Sequence, residues 1–445
     1  MSARTSIEAL RDIAIEIARL GEPANPALGT NLKHVAKVLD SGGTVFGYYG
    51  SGKSLLSILY SLHRSLAGQL TIVLEAYAIL RSGGEVHLRE VSPTLAALPI
   101  LLQEIDGARV IDLIAEWLSR IDSELELSRL NDVIEIFRRL SSMRVRIPSG
   151  RIEKILEIAN YLTNRVPEEI RVEHIVIDEF ERLIANPSTY GYSTMQDLLE
   201  DVFMFADRKS STIALSIPHT LRAMLDLETV ARLEPMTQIV YEEQELIEFF
   251  SRFVSARRPD LASDLITYLR ELGISFRVPR AVVVLATEAM NFGRLDEVIR
   301  DRVKFLCLVA YTYPTRSLRR RALLALLYVY SWLRQDSYAP VDYQSLSLVK
   351  ERICSLATEG FRELNAQSRI IDYLKAVCRE YDAKRIISEA YRQQLLERIG
   401  SLYVLSPNVV DHLRDFITKP RLLEMAIRSY HIRFEPKTLL IEMQL

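Results

Sequence analysis

Apolar residues along this chain fall into two spacings, and the switch between them outlines its organisation. Five short runs, "GGTVF" (42–46), "LTIVLEA" (70–76), "EHIVIDEF" (173–180), "STIALSI" (211–217) and "TQIVYEE" (237–243), are dense in β-branched and aliphatic residues and bounded by turns. Each predicts a strand covered on both faces. Between them the apolar residues return every three or four positions, as in "SLLSILYSLHRSL" (54–66) and "TMQDLLEDVFMFADR" (194–208), which predicts helices. The alternation implies an α/β domain over residues 1–243 around a mostly parallel sheet, interrupted by a helical insertion at about 80–165. After residue 243 strand signals nearly vanish; helices are predicted over 242–257, 260–272 and 280–291, then through a helical C-terminal domain, 296–445. The breaks fall at "RRPD" (257–260), "RVPR" (277–280) and "DSYAPVD" (336–342).

A length of 445 residues calls for two or three domains, and 49% hydrophobic with 26% charged residues is the composition of a folded chain. The N-terminal "MSARTSIEALRDIAIEIARL" interleaves acids and bases on an amphipathic helix, unlike a secretory leader, so the expected location is the cytoplasm. "ALLALLYVYSWL" (322–333) is far shorter than the roughly 20 apolar residues that span a bilayer, so it predicts a buried helix and no membrane partner. Cys307, Cys354 and Cys378 are few, odd in number and without a pairing motif, and are expected to be reduced thiols. The seven histidines show no metal-ligand spacing. Net charge is −2, but residues 301–445 carry 23 Lys and Arg against 16 Asp and Glu, with "TRSLRRR" (315–321) as the densest cluster. That asymmetry makes the C-terminal third a candidate polyanion-binding face, with a solvated helix face as the alternative.

The sharpest chemical signal is "GYYGSGKS" (47–54), which fulfils the phosphate-loop pattern G-x-x-x-x-G-K-[ST]. Glycines permit the backbone turns that aim successive N–H groups at a phosphate, and the following helix contributes its positive N-terminal end. Gly47, Gly50, Ser51, Gly52, Lys53, Ser54 and Leu55 are therefore the expected nucleotide-binding residues. Lys53 would reach the β- and γ-phosphates, and Ser54 would hold Mg²⁺. The second half is "HIVIDEFERL" (174–183), an apolar strand feeding an acidic pair. In this arrangement Asp178 helps to hold Mg²⁺ and Glu179 orients or deprotonates the attacking water. The expected ligands are thus ATP and Mg²⁺, and the expected activity is ATP hydrolysis. No LSGGQ precedes the acidic strand and no N-K-x-D is present, which argues against ABC-type ATPases and GTPases.

These residues, with "TIALSIPHT" (212–220), "ETVARLEPMTQIVYEEQELIEFF" (228–250) and "VPRAV" (278–282), resemble the AAA+ and STAND branches of P-loop ATPases. Within them, the chain resembles the initiator-type ATPases related to archaeal origin-recognition proteins, over roughly residues 30–295. The resemblance implies an AAA+-like parallel-sheet core and a helical lid at 244–295. It further implies a γ-phosphate sensor at Ser216, with His219 as a substitute in place of the usual asparagine. It places an arginine that reaches a neighbouring subunit's nucleotide at Arg232, with Arg222 in reserve, and a lid arginine at Arg280, although Arg277 and Val278 stand where Gly-Asn usually precedes Pro-Arg. It therefore also implies a homo-oligomer.

Two purposes remain open on sequence grounds. One is a motor or loader that assembles on double-stranded DNA or a nucleoprotein complex through the basic C-terminal third. The other is a STAND-like signalling switch or scaffold acting on a protein partner. Residues 381–417 are the candidate for a helix-turn-helix or winged-helix element, with a plain helical bundle as the alternative reading.

Overall fold

All five apolar runs contribute strands to one sheet. In chain order the strands are β1 (Thr44–Gly47), β2 (Thr71–Glu75), β3 (Gly84–His87), β4 (Arg144–Ile147), β5 (His174–Asp178), β6 (Thr212–Pro218), β7 (Met236–Gln238), β8 (Leu396–Ile399) and β9 (Leu402–Leu405). The structure, a computed structural model, describes residues 3–48, 50–104, 109–147, 153–180, 199, 212–218, 221–222, 225, 227–261, 263, 267, 278–292, 295–333, 341–399 and 402–429. The helix expected at 194–208, apart from Leu199, and most of that expected at 260–272 lie outside the described residues, as do His219 and Arg277.

The helices of the first half are α1 (Ala3–Leu20), α2 (Leu28–Leu39), α3 (Lys53–Leu66), α4 (Ala76–Arg81), α5 (Pro93–Glu104), α6 (Val110–Ile121), α7 (Leu130–Ser142), α8 (Glu153–Asn160), α9 (Leu227–Arg232) and α10 (Glu243–Arg257). Those of the second half are α11 (Pro279–Phe292), α12 (Leu295–Thr312), α13 (Leu318–Leu333), α14 (Tyr343–Glu363), α15 (Ser368–Glu380), α16 (Ala383–Arg392), α17 (Pro407–Thr418) and α18 (Pro420–Ser429). The chain divides into two compact units, Met1–Ala256 and Arg257–Leu445, so α10 ends the first unit and α11 belongs to the second.

In the first unit the sheet order is β2-β5-β6-β1-β7, with every neighbouring pair parallel. This is the expected α/β core, and burial on both faces explains why its strands read as unbroken apolar runs: β1, β2 and β5 are buried at every position. The register sets Ser216 of β6 beside Val45 of β1. It also pairs Ile177 of β5 with Leu215 of β6, so Asp178 and Ser216 follow as neighbours at the same end of the sheet. β7 is shorter than the apolar run at 237–243 because the chain leaves the sheet after Gln238. The insertion contains α5 to α8 as expected, but also an antiparallel pair, β3 with β4. The alternating burial of β4 follows "RVRI", a period-two pattern too short to stand out between helices.

In the second unit α13 carries the segment 322–333, and Ala322 through Ser331 are buried among neighbouring helices. No described helix is long and apolar enough to cross a membrane. The C-terminal region is not purely helical. α14, α15 and α16 are followed by the antiparallel hairpin β8–β9, and the Val341 N–H just before α14 donates to the Tyr403 carbonyl (2.7 Å), tying the start of this module to the hairpin. Only Tyr381 and Asp382 separate α15 from α16, and the Asp382 carboxylate caps α16 by accepting from the Arg385 N–H at 2.7 Å.

The cysteines depart from expectation. Cys354 on α14 and Cys378 on α15 form a disulfide, while Cys307 is a buried free thiol. The physical reason is hairpin geometry: both cysteines lie twelve residues from residue 366 in the connection, where two helices folded back on each other bring equidistant positions together. Closing a loop of 24 residues restricts the unfolded chain by about 3 kcal/mol. Reduction with dithiothreitol is expected to lower the melting temperature of this unit by about 6–12 °C in calorimetry. An unchanged transition would show that the bridge adds nothing.

Candidate nucleotide site

β1 runs out at Gly47, and α3 begins six residues later at Lys53. The turn between them depends on missing side chains at two points. A Cβ on Gly47 would stand 2.6 Å from Ser51 Oγ, and Gly52, the residue before α3, has φ +89°, in the left-handed region that side chains disfavour. Lys53 is buried; its ammonium lies across the loop and donates to the carbonyls of Gly47 (3.3 Å) and Tyr48 (3.2 Å). Ser54 and Leu55 follow in the first turn of α3, both part-exposed.

β5 delivers the acidic pair to the same end of the sheet. Asp178 is fully buried, and neither of its carboxylate oxygens has a hydrogen-bond partner. Burial pushes its pKa up, and the neighbouring charge of Glu179 pushes it further; the Ser54 and Ser216 hydroxyls and the Lys53 ammonium pull the other way. The two hydroxyls stand close enough to act on the carboxyl electrostatically without meeting hydrogen-bond geometry, and Ser216 Oγ is itself buried and unpartnered. Glu179 is buried, and its Oε1 lies 3.5 Å from Ser54 Oγ. Its φ of +65° is left-handed. Two other described non-glycine residues share that conformation, Asn365 and Gln394, and both sit just past a helix C-terminus, where such a turn is ordinary. At Glu179 it ends a strand instead, and backbone strain of order 1–3 kcal/mol at such a place is characteristic of functional sites.

The structure therefore gathers Lys53, Ser54, Asp178, Glu179 and Ser216, which lie up to 163 positions apart in the sequence, at one end of one sheet. A buried carboxyl with two unpartnered oxygens beside two hydroxyls could accept a cation. Asp178 and Ser54 are the residues whose oxygens could hold a hard divalent cation such as Mg²⁺. No group of three or more His, Cys, Asp or Glu among the described residues could hold a metal on its own.

The arginines fall elsewhere. Arg232 is exposed at the end of α9, before the N-terminal end of β7, whereas the phosphate loop follows the C-terminal end of the parallel strand β1. Arg232 is thus at the wrong end of the sheet to serve its own loop. Arg222 places its guanidinium 4.5 Å from the centre of the Phe46 ring on β1. Arg280 is the second residue of α11, after Pro279 in the first helical position, in the second unit. In "TRSLRRR", three guanidinium groups lie over tyrosine rings: Arg319 over Tyr381, Arg320 over Tyr313 and Arg321 over Tyr311, while Arg316 is exposed. Part of that cluster is therefore cation–π packing.

Sequence reasoning missed Tyr241, whose hydroxyl donates to the Ser51 carbonyl at 3.0 Å. No local signal marks it, because its partner is 190 positions away. Comparison with known proteins finds no protein-family model and no curated protein that matches this chain.

Proposed function

We propose that this chain binds Mg²⁺–ATP at the phosphate loop and hydrolyses it. The observation that carries the reading is Asp178, buried with unpartnered carboxylate oxygens beside Ser54 and Ser216 at the end of the sheet where the loop turns. The loop backbone from Gly47 to Ser54 would bind the phosphates, Lys53 would move from the loop carbonyls to the β/γ-phosphate oxygens, and Ser54 with Asp178 would hold the cation. When bound, Mg²⁺ supplies positive charge against the phosphate oxygens. Glu179 would accept the proton of the attacking water, and Ser216, beside Asp178 on the intervening strand, would face the terminal phosphate. These roles fit an AAA+-like protein in which Arg232, unable to serve its own loop, would complete the site of a neighbouring copy.

Between the two purposes, the module α14–α16 with its hairpin favours double-stranded DNA. A two-residue turn between helices followed by a β-ribbon is a DNA-reading arrangement. α16 exposes Lys384, Arg385, Tyr391 and Arg392, and β8 exposes Arg398. The test is ATP turnover and light scattering with and without duplex DNA across a salt series. Turnover stimulated by DNA, assembly promoted by ATP and affinity falling steeply with salt are expected; a DNA-indifferent monomer would favour the signalling switch. Lys384→Ala should weaken binding to all sequences alike and reduce the salt slope by about 1.

A further inference from the structure

We propose that Tyr241 is a positioning residue for the phosphate loop, fixing through the Ser51 carbonyl the direction in which the Gly52 N–H points. This rests on the nucleotide reading above and adds to it a residue that none of the loop motifs contains. The Tyr241 hydroxyl donates to Ser51 O at 3.0 Å, and its oxygen stands 3.7 Å from the place a Cβ on Gly52 would occupy, the closest approach from outside the glycine's chain neighbours. In a trans peptide the carbonyl and the following N–H point in opposite directions. Holding the Ser51 oxygen toward Tyr241 therefore turns the Gly52 N–H away from it, into the loop, where a phosphate oxygen would be cradled.

The hydroxyl is itself tightly placed. Tyr241 is buried, and the side chains of Asn25 and Asn31 flank its oxygen. Asn25 is held in turn, accepting from the Ala27 N–H at 3.1 Å, and the adjacent Ala24 N–H donates to Glu16 Oε2 at 2.7 Å. Burial raises the phenol's pKa, against the opposing pull of the two asparagines, so the group stays protonated and remains a donor. Two residues earlier, the Ile239 N–H donates to the Phe46 carbonyl at 2.8 Å, on the strand that leads into the loop. One short segment after β7 thus grips the loop both at its entry and at its last turn.

A contact from Gly52 N–H to phosphate exists in the bound substrate and in the transition state alike, so its loss should raise KM and leave kcat in place. For Tyr241→Phe, which keeps the ring and removes the hydroxyl, we expect KM for ATP and Kd for Mg²⁺–ADP to rise about three- to tenfold, with kcat within about twofold of wild type. A merely structural role would instead lower kcat through a smaller folded fraction, with KM unchanged. Asn31→Ala, which keeps the tyrosine and loosens its hydroxyl, should move KM in the same direction by about two- to threefold; it decides the matter if the phenylalanine variant fails to fold. Unchanged KM and Kd in the folded variants would overturn the positioning role while leaving the nucleotide reading intact. Absence of ATP binding by wild type, or equal binding by Lys53→Ala, would overturn the nucleotide reading and this inference with it.

Discussion

Glu179→Gln is expected to lower ATP turnover by about 10²–10⁴-fold while leaving affinity for Mg²⁺–ATP within about threefold of wild type. The substitution keeps the size and the left-handed backbone, and removes the basic oxygen that would take the proton from water. Because that proton moves only in the transition state, binding is spared and kcat is not. Lys53→Ala should show the opposite balance. It removes a buried ammonium that would act on bound phosphate throughout, and affinity should fall by about 30- to 1,000-fold. Isothermal titration with Mg²⁺–ATP alongside a phosphate-release assay separates the two, and equal loss of binding in both variants would refute the division of roles.

Asp178→Asn should abolish the dependence of nucleotide binding on Mg²⁺, lower turnover by at least about 10²-fold, and yet make the nucleotide-free protein more stable. The carboxyl is buried without a hydrogen-bond partner, so in the absence of a cation its charge is costly, and an amide of the same shape carries none. The sign with pH follows from the raised pKa. A carboxyl whose folded-state pKa lies above its unfolded value of about 4 contributes stability at low pH and loses it as pH rises through the folded value. Wild-type protein in EDTA should therefore lose stability from pH 4 upward relative to Asp178→Asn, which should gain about 1–3 kcal/mol near neutrality. Added Mg²⁺–ATP should narrow that gap for wild type alone. Melting curves over pH 4–8, with EDTA and with Mg²⁺–ATP, give both results at once; a variant less stable than wild type in EDTA would show that Asp178 is satisfied by the protein itself.

How much of this was legible beforehand differs by element. The five sheet strands were readable because burial on both faces leaves a parallel strand no polar alternation to confuse it with a surface segment. The turn between β1 and α3 was readable because its glycines answer to local geometry, the left-handed φ of Gly52 and the close approach of Ser51 to Gly47. Asp178 and Glu179 were readable as a pair following a strand, but the sequence could not place β6 between that strand and β1. That order sets Ser216 beside Asp178, and strand order is decided by long-range packing. Tyr241 and the Cys354–Cys378 bridge escaped for the same reason, since each acts on a residue remote in sequence. The hairpin β8–β9 was hidden differently: "LERI" and "LYVL" are strands of only four residues flanked by helices, too short for a period-two pattern to stand out.

The most direct test of the central claim is a single experiment on wild type and Glu179→Gln: equilibrium binding of Mg²⁺–ATP and steady-state phosphate release, measured on the same preparations. Both proteins are expected to bind, and only wild type to turn ATP over at an appreciable rate. Binding by neither protein, or equal turnover by both, would contradict the claim.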